Sequence, residues 1–120
     1  ADDQIGLWRL ASLRRAGVRV ALSTDLPFGG ADPWAAMRAA VHRTTGRGAV
    51  LNPDECVTPT AALAMFFGHA EQPERPRTVE PGQPADLCVL AAPPAEVLDA
   101  LDAGLVAATL VGGRLYEVRN

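Results

Sequence analysis

The 120-residue chain contains no lysine, and all 11 of its basic residues are arginines. It therefore has no phosphate loop of the Gly-rich, Lys-bearing kind, and there is no G-x-G-x-x-G. Aromatic residues make up 5%, and there are only two histidines and two cysteines. Cys56 and Cys88 lie far apart, which excludes a paired-cysteine metal site or a redox motif. Both are expected to be reduced and partly buried in a cytoplasmic protein. His42 and His69 fall on different expected helices, without metal-ligand spacing. No serine stands in a nucleophile elbow. No apolar run approaches the roughly 20 residues that span a bilayer, and no signal-peptide pattern opens the chain. The formal charge of -3 and the scattered arginines argue against nucleic acid as a partner.

What is present is a globular composition, 48% hydrophobic and 21% charged, without repeats or low-complexity tracts. The chain opens Ala1-Asp2-Asp3 without methionine and passes almost at once into a helical pattern. It is expected to be a piece of a longer protein. A helix is expected over 3–16, capped by Asp2 or Asp3, with Ile5, Leu7, Trp8, Leu10, Ala11 and Arg14 at helical spacing. Gly17 supplies its left-handed stop. Val18 to Ser23 alternates as a strand, Val18, Val20 and Leu22 on one face and Arg19, Ala21 and Ser23 on the other.

A Pro- and Gly-rich loop follows from Thr24. Asp32-Pro33 then opens a second helix with Trp34, Met37 and Val41 inward. Thr44-Thr45 reads as a capping pair, and 46–53 as a loop. Thr58-Pro59 repeats the capping device for a third helix to His69, with Leu63, Phe66 and Phe67 inward. Residues 71–77 form an exposed connection. From there the pattern changes: a turn at 80–83 around Gly82, a strand over 86–90 and a short helix over 95–103 with Val97, Leu98 and Leu101 inward. Strands over 105–111 and 114–118 follow, joined by Gly112-Gly113 in a two-residue hairpin turn.

Asp25 is the first candidate for chemistry. It stands just past the end of a short apolar strand, where parallel α/β folds gather function. A carboxylate there can bind a metal or accept a proton from an attacking water. It can also simply cap the next turn, and on position alone the cap is the simpler reading. Pro27, Phe28, Gly29 and Gly30 follow it and are candidates to line a pocket above the strand; the glycines equally suit loop geometry.

The order of segments is more informative than any one of them. Gly17 to Pro27, ending Ser23-Thr24-Asp25-Leu26-Pro27, is followed by Ala31-Asp32-Pro33-Trp34. Then come Leu51-Asn52-Pro53-Asp54-Glu55 through Leu63, Val79 to Leu90 with Ala85-Asp86-Leu87, and Ala107 to Tyr116. This succession resembles the amidohydrolase superfamily, in particular the family 3-like bacterial metal-dependent hydrolases. The resemblance implies an α/β protein: the last strand and helix of a (β/α)8 TIM barrel in residues 1–76. Residues 77–120 would be the C-terminal strands of an accessory, composite β-sandwich.

It also implies a parent hydrolase acting on carbon–nitrogen bonds other than peptide bonds, through water activated by a divalent metal, with zinc the expected ion. Asp25 inherits the role of the aspartate after strand eight, as metal ligand or proton carrier. That setting reverses the preference for a simple cap. The family's His-x-His pair, later barrel histidines and bridging lysine have no counterpart here. The remaining ligands are thus expected outside this chain, and no metal is expected to bind tightly to it. The chain alone is expected to be inactive. Its expected partners are a small-molecule amide substrate in the whole protein and either a second copy or the missing N-terminal part. Two other readings stand beside this one: a non-catalytic assembly or binding protein on the same scaffold, and a free-standing small α/β interaction domain.

Overall fold

The structure, a computed structural model, describes residues 6–69, 71–72 and 75–117; the readings at Asp2, Asp3, Ile5 and Val118 lie outside them. The chain divides into two compact units, Ala1–Arg77 and Thr78–Asn120. It is a mixed α/β chain whose sheet is antiparallel and three-stranded.

In the first unit, α1 covers only Leu10–Arg15, shorter than the periodicity suggests. Trp8 sits at φ 53, left-handed backbone that no right-handed helix passes through, so the helix starts after it, with Arg9 at the N-cap position and no side-chain cap. Leu10 and Ala11 are half-buried, whereas Leu7, Trp8 and Arg14 are exposed. The helix ends as expected on Gly17, at φ 78. Val18 N–H donates to Leu13 O at 2.9 Å and Gly17 N–H to Arg14 O at 3.0 Å. This pair of bonds is the Schellman closure, which satisfies two carbonyls of the last turn.

Residues 18–23 are extended but join no sheet. Val20 and Leu22 are half-buried while Arg19, Ala21 and Ser23 are exposed, so the alternation holds over 19–23, but Val18, expected on the inward face, is exposed. Ladder pairing is not: Leu22 N–H donates to Met65 O at 3.0 Å, on the segment after a helix. The expected strand is corrected to an unpaired extended segment, because the described residues supply no neighbouring strand for it.

The second helix, α2, covers Pro33–His42 and follows the sequence closely. Asp32 accepts from Trp34 N–H at 2.9 Å, and Pro33 occupies the first turn. Trp34, Met37 and Ala40 are buried, and Val41 is half-buried. The helix stops at Arg43, whose φ is 50. Thr44 pairs with Val50 in an isolated bridge, and Thr45 Oγ1 accepts from Ala49 N–H at 3.2 Å. These threonines close a loop.

A single 3-10 turn at Pro53–Glu55 leads to α3, Pro59–Ala64. Thr58 caps α3 by accepting from Ala61 N–H at 3.2 Å. The helix stops five residues short of His69: Phe66 and Phe67 donate back three residues, to Leu63 and Ala64, tightening the chain out of α geometry. Ala62 and Met65 are buried there; Leu63 and Phe66 are half-buried and Phe67 is exposed.

The second unit is built on β1 (Leu87–Leu90), β2 (Val106–Val111) and β3 (Arg114–Glu117), in sheet order β1-β2-β3. Leu87 faces Leu110, and Leu110 also faces Leu115. Gly112 and Gly113 both have positive φ, 56 and 78, as a type I′ hairpin turn requires. Asp86 tightens that turn by accepting from Gly112 N–H at 2.7 Å. Gly82, at φ 90, shapes the expected earlier turn. The short helix α4, Pro94–Ala100, connects β1 to β2; Val97 and Leu101 are almost fully buried. Cys88 lies exposed in β1 rather than partly buried as expected; Cys56 is half-buried, and both are free thiols.

Candidate functional site

Asp25 closes the extended segment 18–23 and turns the chain. Its φ is 56, a left-handed conformation that aspartate tolerates better than most residues. Its N–H donates to Ser23 Oγ at 3.2 Å, and its carbonyl accepts from Gly29 N–H at 2.7 Å. The residue is exposed, and its carboxylate has no hydrogen-bond or ion-pair partner among the described residues. Between Asp25 and Gly29 the Leu26–Pro27 peptide is cis. Phe28 is 91% exposed and Leu26 is 62% exposed, so the loop presents two apolar side chains next to a free carboxylate. Pro27 and Gly30 are exposed beside them, and Gly29 is half-buried.

The histidines take no part in this loop. His42 ends α2, and His69 lies past α3, where its N–H donates to Arg75 O at 3.0 Å. Among the described residues, no three His, Cys, Asp or Glu side chains gather where they could hold a metal ion. Zinc normally takes three protein ligands. The described residues of this chain therefore do not fit a metal site by themselves.

Two charged residues do more structural work than their positions in the sequence suggest. Arg43 is only 6% exposed. Its Nε donates to Leu51 O at 2.7 Å, and its two terminal nitrogens donate to Trp8 O and Leu7 O at 2.9 Å each. One guanidinium thus fastens the chain ahead of α1 to the loop after α2. It also borders a cleft of about 310 Å³ lined by Trp8, Leu10, Leu22, Ser23 and Leu51.

Glu55 is only 4% exposed. Its carboxylate accepts from Ser12 N–H at 2.8 Å and from Ser12 Oγ, with Arg15 3.9 Å away. The Ser12 hydroxyl, then the Ser12 amide, hold its carboxyl below the ordinary value of 4.5 against the opposing effect of burial. Neither role is visible in the sequence. The partners of Arg43 are backbone carbonyls, which carry no residue signature, and Ser12 and Glu55 are 43 positions apart.

The family model described as the amidohydrolase family matches residues 3–116, nearly the whole chain. The chain belongs to the amidohydrolase family. This amidohydrolase chain is also similar to the N-substituted formamide deformylase of Arthrobacter pascens, 39% identical over 93 residues. That match covers 74% of the chain and 17% of the deformylase, so the chain spans under a fifth of the length of this curated relative. No solved structure matches it. Among the described residues, no helix is long and apolar enough to cross a membrane.

Proposed function

We propose that this chain is the C-terminal part of an amidohydrolase that cleaves non-peptide carbon–nitrogen bonds, with N-substituted formamides as the substrate class. The observation that carries the reading is Asp25: an exposed carboxylate without a partner among the described residues, held at the end of an extended segment. Family membership and the likeness to a formamide deformylase supply the reaction class. In this reading residues 18–23 are the last strand of a barrel and α2 is its last helix. The unit from Thr78 contributes strands to an accessory β-sandwich. Other barrel strands from outside this chain would meet the unpaired backbone of 18–23.

In the reaction, water adds to the amide carbon and the C–N bond breaks, giving formate and an amine. Asp25 takes a proton from the attacking water and returns it to the leaving nitrogen. Pro27, Phe28, Gly29 and Gly30 border the substrate, with Phe28 against its apolar N-substituent. A divalent metal such as zinc would find one ligand here, Asp25, and its other ligands outside the chain. The test is Asp25→Ala in the full-length protein, assayed by formate release from an N-substituted formamide. Loss of turnover by at least about 100-fold, the scale of a general acid–base group, is expected. Turnover at the parental rate would remove Asp25 from the centre.

A further inference from the structure

Asp25 lies on a turn whose closure depends on one residue. A methyl group at Gly29 would stand 2.0 Å from the Thr24 carbonyl oxygen and 3.5 Å from the Asp25 Cβ. Non-bonded atoms do not approach to 2.0 Å, and the obstacle is backbone, which has no rotamer to escape into. The same glycine donates its N–H to Asp25 O at 2.7 Å, while Asp25 N–H is held by Ser23 Oγ at 3.2 Å. Asp25 is therefore gripped on both sides of its Cα, and one grip exists only while residue 29 lacks a side chain.

Its φ of 56 is an uncommon conformation for a residue with a Cβ, and such conformations persist where the surroundings over-determine them. Gly46 provides the contrast: it also sits in a loop of the first unit, with nothing within 4 Å of the place a Cβ would take.

We propose that Gly29 is a positioning residue for Asp25: its missing Cβ lets the 25–29 turn close, and that closure fixes where the Asp25 carboxylate points. The proposal rests on the catalytic reading of Asp25. Gly29 touches no reacting atom in this role; it acts through the backbone of Asp25. Addition of a side chain pushes residue 29 away from Thr24 and breaks or lengthens the bond to Asp25 O. A displacement of about 1 Å at a catalytic group can cost on the order of 100-fold in rate.

The experiment compares Gly29→Ala, Gly46→Ala, Asp25→Asn and a variant with one extra glycine between Phe28 and Gly29, all in the full-length protein. The insertion opens the turn without adding a side chain, and an exposed loop accepts it at little cost in stability. Each variant is read by formate release from an N-substituted formamide and by thermal melting. Gly29→Ala and the insertion should both lose about 100-fold in kcat, with a cooperative melt retained and any rise in KM, from the shifted substrate-bordering loop, well below the fall in kcat, because the group moved acts on the transition state. Gly46→Ala should match the parent.

A parental kcat in Gly29→Ala, with Asp25→Asn inactive, overturns the positioning role and leaves the catalytic reading intact. A parental rate in Asp25→Asn overturns both. If Gly29→Ala fails to fold, the insertion decides: the same fall in kcat supports the proposal, and a parental kcat overturns it.

Discussion

In residues 78–117, backbone amides and carbonyls largely meet one another, across β1, β2 and β3 and through the Gly112-Gly113 turn. In residues 6–77, the corresponding long-range connections run to a large extent through side chains: Arg43 to three carbonyls, Glu55 to Ser12. The extended segment 18–23, which leads into Asp25, is left outside any ladder. A ladder pairs the polar groups that face its neighbouring strands, whereas clamps hold only the points they touch. The contrast separates a sheet paired internally, with β1 and β3 as its open edges, from a segment that the described residues leave without a strand partner.

The sharpest way to break the contrast is to cut into each unit by its own means of support. Leu101→Ala removes a side chain that is 1% exposed and should destabilise the second unit by about 3.5 kcal/mol, the middle of the range for a buried leucine. Denaturant unfolding checks it. Arg43→Ala removes the guanidinium donor from three carbonyls, of which Trp8 O keeps the Leu10 N–H, and should destabilise the first unit by about 2 kcal/mol, comparable to losing charged hydrogen bonds from a buried site. Arg43→Lys should recover little of this, because a single ammonium cannot reproduce a planar fork. Hydrogen exchange should place the Arg43 losses in residues 6–77 and the Leu101 loss in residues 78–117. Full protection there in Arg43→Ala would show that the clamp carries no weight.

Smaller effects sharpen the same picture. Thr58→Ala should cost the cap of α3, about 1 kcal/mol, read as a drop in melting temperature. Glu55 adds a pH dependence. Its carboxyl lies lower in the folded chain than its ordinary value, so its contribution is present above pH 4.5 and is lost as pH falls through the depressed value. Glu55→Gln keeps one acceptor oxygen where the carboxylate offers Ser12 two, so it should lower the melting temperature near neutrality, where the ionised carboxylate contributes. It should flatten the acid side of the stability profile. An unchanged acid limb would count against the Ser12–Glu55 contact.

How much of this the sequence reveals follows the same division. Local devices are legible because they need only neighbours: Asp32-Pro33 and Thr58-Pro59 cap as read, Gly17 ends α1, and Gly112-Gly113 makes the hairpin. Element lengths are not. The left-handed Trp8 shortens α1, and the tight turn at Phe66 and Phe67 shortens α3, although apolar spacing continues past both. The strand over 18–23 has the right alternation, but a strand also needs partners, and alternation says nothing about whether they are present. For the candidate site, the sequence points to Asp25 and its loop. The dependence of the turn on Gly29 becomes visible only from the 2.0 Å approach to Thr24. Arg43 and Glu55 escape notice because burial of a charge has no signature in residue type.

The central claim is that Asp25 belongs to a hydrolytic centre whose other members lie outside this chain. Formate release from an N-substituted formamide by the isolated 120-residue chain, supplied with zinc, tests it most directly. The account predicts no turnover above the uncatalysed rate. Turnover that disappears in Asp25→Ala would contradict it, because the chain would then hold a complete centre of its own.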